Sequence, residues 1–571
     1  MSGNRLKVLH VLANSRPDLN GYAIRTHDIL RAQIEGDICD AVGLTSPYYA
    51  DRSTLVERAE IDGVVYHRTL HPARDPTATG LLTRWQRKRA ITRFNLDSDD
   101  RVEETRSIEQ HTDVLDTIRD TEQVEERSET VEELHETEDK MMLKGDFIVR
   151  RIIRFTRKLI RIAWQTTKRV LRFIRKAIRH VYRILKRSIR RLYRGSLRIC
   201  RTIFKLFKRN IRRLTRPLRR MARPFPMWVD EYILMRKLTA RIIEVAKEVS
   251  PDLIHAHTPY RVGIPALRAS RRLRIPLVYE MRGVWEDTAV ANGRWKEGNL
   301  AYSRFRRLET KVLRAADSVV CISQALKDEA ISRGVDTNRI TLVPNAVNRS
   351  EIDQVESRAE LSAADAEELE STIASLALND STTVVGYIGS LREMEGVDLT
   401  ADAVAILAGR GHDVRFLVVS GPANKDVLRD HCDELELGET AVLAGPVPHH
   451  CVPEYYRLID AFVVSRPDFR VTRLVTPLKP YEAMLMSRPT ILADLPALRE
   501  IVVEGETGYL HPVGDATGLA DVIEGIIRDR EGSSIVGASA REWVLEERTW
   551  DTIVQRYTEV YSRALAVHEA G

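Results

Sequence analysis

The 571-residue sequence lacks several features that would assign it to a specialised class of protein. No stretch approaches the roughly 18 uncharged apolar residues of a membrane-spanning helix, so we expect none. The five cysteines are scattered and form no CxxC pair, which argues against a disulfide framework or a zinc site and favours a reducing compartment. The stretch from Met1 to Lys7 runs into an apolar strand pattern without a secretory h-region, so we expect no signal peptide.

The length and the hydropathy pattern indicate two α/β domains. The chain is too long for one hydrophobic core, so two domains and an additional element are expected. Residues 6–13 predict a buried strand, Gly21 marks the turn that follows, and a helix is predicted from about Ala23. Strand, glycine loop and helix in this order are typical of a doubly wound domain, whose loop lets the backbone approach a ligand. The alternation resumes after residue 228, and a second set of strands and helices begins near residue 384.

Two segments of opposite charge interrupt the α/β pattern. Residues 97–139 contain 18 Asp and Glu against 4 Arg, which favours a solvated or disordered spacer, although sparse apolar residues also permit a polar helix. Residues 144–223 contain 30 Lys and Arg and a single acid, Asp146. Apolar residues of this basic segment recur in steps of 3, 4 and 4, which predicts one long straight helix ended by Pro217 and Pro224.

We interpret the basic segment as an amphipathic helix that lies on an anionic membrane surface. Its arginines can reach lipid phosphates while its apolar stripe enters the acyl boundary. Pairing with residues 97–139 or with a partner chain, as an acid–base hairpin or a coiled coil, is the alternative. Nucleic-acid binding is disfavoured, because phosphate contacts need no apolar stripe and the sequence contains no reader motif. We therefore expect no nucleic-acid partner.

The stretch from Thr472 to Met484 predicts a phosphate-binding loop followed by a helix. A proline-punctuated loop, preceded by several arginines, leads into a helix that begins near Lys479. The N-terminus of a helix presents unpaired amides that suit a phosphate, and Lys479 adds a positive charge. Glu482, one turn further, can accept hydrogen bonds from sugar hydroxyls. These features favour a nucleotide-sugar site, and an ordinary helix start with a capping carboxylate is the alternative.

A series of motifs carries a family resemblance. In chain order they are NGYAIRTHDIL, PDLIHAH, YEMRGVWED, ADSVVCIS, ITLVPNAV, VVGYIGSLR, VTPLKPYEAM, RPTILAD and EGETGYLHPVGD. With them the chain resembles retaining glycosyltransferases of family 4, the glycogen-synthase-like glycosyltransferase group 1, and an exopolysaccharide-type subgroup within it. The resemblance covers about residues 5–72 and 228–565. It implies an α/β fold of the GT-B type: two doubly wound Rossmann-like domains that face a cleft, with a long helical insertion in the first domain.

The resemblance and the composition together predict four parts of the chain. They are an acceptor-side domain formed by residues 1–76 and 228–348, the insertion 77–227, a nucleotide-sugar-binding domain 349–545, and a C-terminal helix within 546–571 that packs back on the first domain.

The resemblance implies that the second domain binds the donor. Glu482 falls on the position that holds the ribose hydroxyls, Val447 on the position where the backbone meets the base, and Thr476 to Leu478 on backbone that meets the diphosphate. Gly21 is implied to face the donor phosphates from the first domain. The predicted donor-binding residues are Gly21, Gly389, Ser390, Arg392, Gly421, Val447, Thr476, Leu478, Lys479 and Glu482.

The sequence departs from the family pattern at several of these positions. The first Glu of the family's E-x7-E motif, which usually contacts the donor sugar, falls on Leu474. The frequent Arg of the glycine loop falls on Ser390, and its frequent Lys falls on Glu395. Arg392 and Lys479 are the nearest substitutes for neutralising a diphosphate leaving group, so we assign them to the donor site.

Three residues are predicted to act in catalysis: Lys479, Glu280 and Arg282. Arg282 falls where the family often has a histidine, and Glu286 and Asp287 are further candidates on the acceptor side. An internal ion pair is the alternative for Glu280 and Arg282. The neighbouring strand-end histidines, His255 and His257, are predicted to serve packing and hydrogen bonding.

The predicted function is a retaining, metal-independent hexosyltransferase that moves a sugar from a UDP- or GDP-sugar to a glycan or lipid-linked acceptor in cell-surface polysaccharide or glycoconjugate synthesis. We expect no cofactor, and no metal because no Asp-x-Asp pair ends a predicted strand. The basic segment places the enzyme in the cytoplasm, peripherally on the inner face of the plasma membrane. The alternatives are a catalytically weak GT-B scaffold and another GT-B enzyme such as a sugar-nucleotide epimerase.

Overall fold

The computed structural model describes five ranges of the chain, residues 5–17, 21–48, 57–70, 224–357 and 361–570. The acidic segment 97–139 and the basic segment 144–223 lie outside the described residues, as does nearly all of the insertion predicted for 77–227. The chain divides into two compact units, residues 1–87 with 228–571 and residues 88–227. The first unit contains both sheets of the protein that the structure describes.

The first domain is built on an eight-stranded sheet. In chain order its elements are β1 (Lys7–Leu12), α1 (Gly21–Glu35), β2 (Asp40–Thr45), β3 (Arg58–Ile61), β4 (Val64–Arg68), α2 (Pro224–Val249), β5 (Leu253–His257), α3 (Tyr260–Leu273), β6 (Leu277–Met281), α4 (Trp285–Ala291), α5 (Leu300–Ala315), β7 (Ser318–Cys321), α6 (Gln324–Ser332) and β8 (Ile340–Leu342). The strand order is β3-β4-β2-β1-β5-β6-β7-β8, and only β3 and β4 pair antiparallel. This is the doubly wound arrangement that the strand–helix alternation predicted.

The second domain is built on a six-stranded, wholly parallel sheet. Its elements are α7 (Arg349–Ser357), α8 (Ala363–Leu376), β9 (Thr383–Ile388), α9 (Val397–Gly409), β10 (Val414–Val419), α10 (Lys425–Glu434), β11 (Ala441–Ala444), α11 (Val452–Arg457), β12 (Ala461–Val464), α12 (Arg470–Leu474), α13 (Lys479–Leu485), β13 (Thr490–Ala493), α14 (Pro496–Arg499), β14 (Tyr509–His511), α15 (Ala516–Arg528) and α16 (Arg530–Glu547). The strand order is β11-β10-β9-β12-β13-β14.

Two further helices, α17 (Trp550–Ile553) and α18 (Arg556–Ala570), complete the core of the first domain. Their side chains Trp550, Tyr557 and Tyr561 are buried against residues of β1 and of the helix α1. The opposite face of the same sheet is covered by α2, α3, α5 and α6. Both faces of a parallel sheet need such cover, because its strands are apolar on both sides. The last helices of the chain therefore serve the domain that its first strand begins.

The expected fold class, α/β with two Rossmann-like domains, is confirmed by these sheets, and three details differ from the sequence predictions. The antiparallel strand β3 was not predicted, because four residues are too short to show a period. A single helix over 540–564 was predicted, but this region contains three helices, because Thr549 ends the run by pairing with Val347 and capping α17. The α/β pattern was expected to resume after residue 228, whereas α2 already begins at Pro224, in a first turn that proline tolerates.

Among the described residues, none of the helices has the length and the apolar composition that crossing a bilayer requires.

The close packing around Gly386, in the centre of β9, leads to a prediction about stability. A Cβ atom at Gly386 would lie 2.3 Å from Cγ1 of the buried Ile459, whereas a Cβ atom at Gly525, inside α15, would meet nothing within 4 Å. We expect Gly386→Ala to lower the free energy of unfolding by about 1–3 kcal/mol through overpacking. Gly525→Ala, the matched control, should raise it by about 0.5–1 kcal/mol through helix propensity. Urea unfolding of the full chain measures both, and equal effects would contradict the packing described.

Candidate active site

The segment between β12 and α13, residues 465–478, is fixed to its own domain by a buried ion pair. Nη2 of Arg466 lies 3.0 Å from Oε2 of Glu395, and Nε of Arg466 lies 3.2 Å from the same oxygen. Nη1 of Arg466 donates to the carbonyl of Val475 at 3.1 Å. Glu395 is fully buried and Arg466 nearly so. One guanidinium group therefore connects the loop after β9 with the loop before α13.

The same segment is also fixed to the first domain. Arg470 donates to Oδ2 of Asp287 at 2.6 Å and to Oε2 of Glu329 at 2.5 Å. The hydroxyl of Ser323 donates to the carbonyl of Leu474 at 2.6 Å. The side-chain amide of Asn345 donates to the carbonyl of Thr476 at 2.9 Å. Because the backbone of this segment is held from both sides, it joins the two domains.

The carboxylate of Glu500 makes a further contact between the domains. It accepts hydrogen bonds from the backbone amides of Gln324 at 2.6 Å and Ala325 at 2.9 Å, at the start of α6. A carboxylate in this position satisfies amides that have no partner within the helix. Glu500 thus adds a contact from the second domain to a helix start whose own N-cap is Ser323, which accepts from the amide of Leu326.

The glycine loop after β9 lies directly under Lys479. Gly389 has φ +148, and a Cβ atom there would lie 2.0 Å from Cε of Lys479. The ammonium nitrogen of Lys479 lies 3.3 Å from Oε2 of Glu395 and 5.2 Å from the centre of the Tyr387 ring. The structure therefore brings together two predicted donor-site residues that are separated by ninety positions in the sequence, and only glycine at position 389 leaves room for the lysine.

Glu395 occupies the position where the resemblance expects a lysine, and three cations surround it. Besides Arg466 and Lys479, Arg392 donates to Oε1 of Glu395 at 3.1 Å. Burial alone would raise the pKa of Glu395, but Arg466, Lys479 and Arg392 together hold it well below its usual range. Three positive charges against one carboxylate leave a positive excess beside Gly389. The charge missing at position 395 is thus supplied by residues from elsewhere in the chain.

Gly21, the first residue of α1, faces the second domain. A Cβ atom at Gly21 would lie 3.8 Å from Cδ1 of Leu478. A Cβ atom at Gly283, after β6, would lie 3.7 Å from Cγ2 of Val475. The loops that follow β1 and β6 therefore meet the segment before α13, at the carboxyl ends of the strands where ligands of such sheets bind.

The remaining predicted donor residues line the carboxyl end of the second sheet. Thr476 is buried, and the exposed Ser390 accepts a hydrogen bond on its carbonyl from the hydroxyl of Tyr387 at 3.0 Å. Gly421 and Val447 follow the neighbouring strands β10 and β11 and are half-buried. Arg392 is half-exposed. The structure therefore places these residues on loops that leave adjacent parallel strands.

Glu482 lies on α13, half-buried, and is oriented by the second domain. Its Oε2 accepts a hydrogen bond from the hydroxyl of Tyr456 at 3.0 Å. Two further acids lie near it. Burial raises the pKa of Asp28, on α1, to about 6. Burial, together with Asp28 and Glu482, raises the pKa of Glu351 well above its usual range. No sequence pattern indicates this group, because its members come from three distant parts of the chain.

Glu280 and Arg282 lie inside the first domain rather than on its surface. Oε1 of Glu280 accepts from Nε of Arg282 at 2.7 Å and from Nη2 of Arg25 at 3.2 Å. Oε2 of Glu280 accepts from the hydroxyl of Tyr557 at 2.8 Å. Glu280 is fully buried and Arg282 is 3% exposed. These contacts favour the internal ion pair that was the alternative for the two residues.

The candidates Glu286 and Asp287 also form ion pairs. Oε1 of Glu286 accepts from Arg333 at 2.7 Å, and Asp287 accepts from Tyr302 at 2.8 Å in addition to its pair with Arg470. Both acids are buried. They hold the helices of the first domain, and Asp287 also holds the segment before α13.

Sequence reasoning missed the partners of Glu280 and Arg282. Nη1 of Arg282 donates to the hydroxyl of Thr26 at 2.6 Å and to the carbonyl of Tyr22 at 3.3 Å, both in the first turns of α1. The available signal was the run RTHD in α1, whose four residues are polar and also buried. Burial of consecutive polar residues is a property of the fold, which the 3.6-residue period of the sequence does not reveal.

Two groups of side chains among the described residues have the spacing of metal ligands. One consists of His10, His255 and His257, and the other of Asp365, His450 and Cys451; in each, the ligand atoms lie within 4.8 Å of one another. The ring of His257 is stacked on those of His10 and His255, the His10–His255 pair is tilted, and the centroids lie 4.4–5.3 Å apart. Ring nitrogens of His10, His255 and His257 contact Gln33, Tyr561 and Arg282 respectively. The histidine group therefore takes part in hydrogen bonding, as predicted for His255 and His257.

Comparisons with known families agree with this geometry. The profile of Glycosyltransferase Family 4 matches residues 179–351, and the profile of Glycosyl transferases group 1 matches residues 370–543. Together the two profiles span more than half of the chain. The chain therefore belongs to the group 1 glycosyltransferases of family 4. Its two facing Rossmann-like domains are those of the GT-B fold, and its enzyme class is that of a glycosyltransferase.

Individual relatives are distant. The alpha-maltose-1-phosphate synthase of Mycolicibacterium smegmatis is 22% identical over 365 residues, 61% of this chain and 88% of the relative. The capsular polysaccharide biosynthesis glycosyltransferase CapM of Staphylococcus aureus is 23% identical over 340 residues, 59% of this chain and 82% of CapM. The crystal structure of Anabaena HepE in complex with UDP has 21% identity and a TM-score of 0.45, over 57% of this chain and 81% of HepE.

The contact between Arg470 and Glu329 leads to a prediction about how stability depends on pH. Burial raises the pKa of Glu329, but Arg470 and Arg333 outweigh it and lower the pKa to about 2. Because the folded-state pKa is depressed, the stabilisation is complete above the unfolded-state value of about 4.3 and is lost as the pH falls towards 2. The midpoint temperature of thermal unfolding should therefore decrease less between pH 7 and pH 3 in Glu329→Gln than in the wild-type chain.

The control for this measurement is Glu559→Gln, because Glu559 forms a solvent-exposed pair with Arg563 on α18. An exposed pair of this kind contributes little to stability. The Glu559 variant should follow the wild-type pH dependence. Identical curves for the Glu329 variant and the wild-type chain would contradict the depressed pKa.

Proposed function

We propose that the chain is a retaining hexosyltransferase that uses a UDP- or GDP-sugar and acts on a glycan or lipid-linked acceptor in cell-surface polysaccharide or glycoconjugate synthesis. One observation carries the proposal. Lys479 lies over Gly389 at the carboxyl end of one parallel sheet, and Gly21 faces the same segment from the other sheet. Parallel sheets of this kind bind nucleotides at that end. The retaining stereochemistry follows the family resemblance.

The proposed leaving group is the nucleoside diphosphate. Cleavage of the bond between sugar and diphosphate places additional negative charge on the phosphate, and preorganised cations stabilise it. Although burial lowers it, the nearby Glu395 raises the pKa of Lys479 above its usual range, so the ammonium group is charged at neutral pH. Arg392, which is half-exposed, can reach the same phosphate. These protein cations supply the charge that a metal ion supplies elsewhere, so we propose that transfer needs no metal and no cofactor.

Glu482 is proposed to bind the ribose. Its Oε2 is held by Tyr456, and the carboxylate can accept a hydrogen bond from a ribose hydroxyl. We further propose that Val447 and Gly421 contact the base and the phosphates through their backbone, because Gly421 follows β10, which pairs with β9, and Val447 follows β11, the next strand of the sheet. Of the predicted catalytic residues, Lys479 acts on the leaving group directly. Glu280 and Arg282, which are buried, act through the position of α1.

A catalytically weak scaffold is the second candidate function, and one observation favours it. Leu474 lies at the position expected for a sugar-binding Glu. Its side chain packs against the core of the first domain, and its carbonyl accepts a hydrogen bond from the hydroxyl of Ser323. The residue therefore serves the contact between the domains. In an active enzyme, another group must hold the hydroxyls of the donor sugar.

We also propose that the basic segment 144–223 brings the enzyme to the inner face of the plasma membrane from the cytoplasm. Thirty cationic side chains against one acid, arranged around an 11-residue apolar period, fit an anionic lipid surface. A lipid-linked acceptor would then lie in the same plane as the enzyme.

A panel of UDP- and GDP-sugars tests the enzymatic proposal. Transfer and donor hydrolysis should be detected with the full chain for at least one donor. Lys479→Ala should lower kcat by about 100- to 1000-fold, because one group that stabilises the transition state is lost. Glu482→Ala should raise the donor KM by about 10- to 100-fold, because a charged hydrogen bond is lost. Lys311→Ala, an exposed lysine on α5, is the control and should change neither value.

The same panel separates the two candidate functions. Binding of a donor without transfer or hydrolysis supports the scaffold. Unchanged transfer in the Lys479 and Glu482 variants would show that the donor site is assigned to the wrong residues.

Vesicle flotation tests the membrane proposal. The full chain should float with vesicles that contain phosphatidylserine and stay unbound with pure phosphatidylcholine, because attraction to anionic lipid is electrostatic. Raising the salt concentration should release it. A variant that lacks 144–223 is the control and should remain unbound with both lipids. Equal recovery of the full chain with neutral and anionic vesicles would contradict the electrostatic part of the proposal.

A further inference from the structure

Three histidines with adjacent rings lie in the core of the first domain, and the proposed transfer reaction does not use them. His10 lies on β1, directly opposite His255 on β5, and His257 follows two residues later. All three are at most 2% exposed. Buried imidazoles need a defined partner at each ring nitrogen, because an unpaired polar atom in the core is unfavourable. Their partners determine which nitrogen carries the proton.

Arg282 determines which ring nitrogen of His257 carries the proton. A guanidinium group only donates hydrogen bonds. Nη2 of Arg282 lies 2.6 Å from Nδ1 of His257, so this nitrogen accepts and the proton of the neutral ring is on Nε2. Nε2 of His257 lies 3.0 Å from Nδ1 of His10, so this nitrogen accepts in its turn. The proton of His10 is therefore also on Nε2.

The series of hydrogen bonds continues through Gln33 and Tyr561. Nε2 of His10 donates to Oε1 of Gln33 at 2.9 Å, which fixes the orientation of the amide. Nε2 of Gln33 donates to the hydroxyl of Tyr561 at 2.6 Å. The hydroxyl proton is then directed at Nδ1 of His255, 3.1 Å away. One proton arrangement is thus carried from β6 through α1 to the C-terminal helix α18.

The series ends beside the residue where it began. With Nδ1 of His255 accepting, its proton is on Nε2, which lies 3.3 Å from Oε2 of Glu280, an ion-pair distance without hydrogen-bond geometry. Glu280 accepts from Nε of Arg282, where the series began. We call this series the buried circuit; its members are Arg282, His257, His10, Gln33, Tyr561, His255 and Glu280.

The buried circuit requires three neutral histidines. A protonated imidazole donates at both nitrogens, so it would direct a proton at a neighbour that also donates. Burial lowers the pKa of His10, His255 and His257 and thereby keeps the rings neutral. The other ionisable groups that face the circuit are Arg25 from α1, Tyr557 from α18, Cys39 before β2 and Cys321 from β7.

We propose that Tyr561 and Gln33 are positioning residues for the donor site, acting through the buried circuit on Arg282. Nη1 of Arg282 holds the hydroxyl of Thr26 and the carbonyl of Tyr22. These residues form the turn of α1 that begins at Gly21. The inference rests on the proposed function in one respect, that Gly21 forms a wall of the donor site. Helix α18 thus determines where the turn at Gly21 lies relative to the second domain.

Tyr561→Phe tests the positioning role, with Tyr260→Phe as the matched control. Both tyrosines are buried in the first domain, but the hydroxyl of Tyr260 donates to Glu231, outside the circuit. Hydrogen exchange of amides 21–26 should become about tenfold faster in the Tyr561 variant, because a buried hydrogen bond that supports the turn is lost. The Tyr260 variant should match the wild-type chain. Gln33→Met, which interrupts the circuit at a second point, should reproduce the Tyr561 result.

The pH profile of donor turnover is the second measurement. Without the hydroxyl of Tyr561, Nδ1 of His255 has no donor and can take a proton while the ring faces Glu280. The acid limb of kcat/KM should therefore move to higher pH in the Tyr561 variant, with KM for the donor raised, and should stay in place in the Tyr260 variant. A merely structural loss would lower activity equally at every pH.

The two measurements separate failure of this inference from failure of the proposed function. Hydrogen exchange needs no donor, so it decides the positioning role even when no UDP- or GDP-sugar is turned over. Equal exchange at 21–26 in the Tyr561 and Tyr260 variants overturns the inference. Faster exchange in the Tyr561 variant of a chain that binds no donor supports the inference and overturns the proposed function.

Discussion

The arrangement of the proposed donor site depends on one buried carboxylate. Glu395 is fully buried and charged, and such a group is tolerated only where cations replace its lost hydration. Arg466 and Lys479 do so, and each is thereby fixed in place. Arg466 then holds the backbone before α13, and Lys479 covers the glycine loop. A single acid therefore determines the position of two cations that no local sequence pattern connects with it.

The segment before α13 has two roles: it carries residues predicted to bind the diphosphate, and it joins the two domains. Its backbone carries residues expected to meet a diphosphate, and Ser323 and Asn345 of the first domain bind the same backbone through its carbonyls. Arg470 adds two ion pairs to the first domain. The side chain of Leu474 belongs to this contact as well. The proposed donor binding and the contact between the domains therefore share a few residues of one loop.

The sequence was sufficient for the features that local patterns encode. Apolar runs predicted most strands of both sheets, and Gly389 marked the loop that follows β9. It was insufficient wherever partners are far apart. Glu395 could be recognised only as a missing lysine, since its partners lie about 70 and 84 positions away. The buried circuit joins Gln33 to Tyr561, 528 positions apart, and no periodicity extends over that distance.

The return of α17 and α18 to the first sheet has a consequence for synthesis of the chain. Trp550, Tyr557 and Tyr561 fill the core around β1, so the domain that is translated first cannot complete its core until these residues have left the ribosome. The second domain has all of its strands by residue 511. Domains usually fold in the order of their synthesis. In this protein the order of completion is reversed, and the N-terminal domain is finished by α18, which is made after all strands of both sheets.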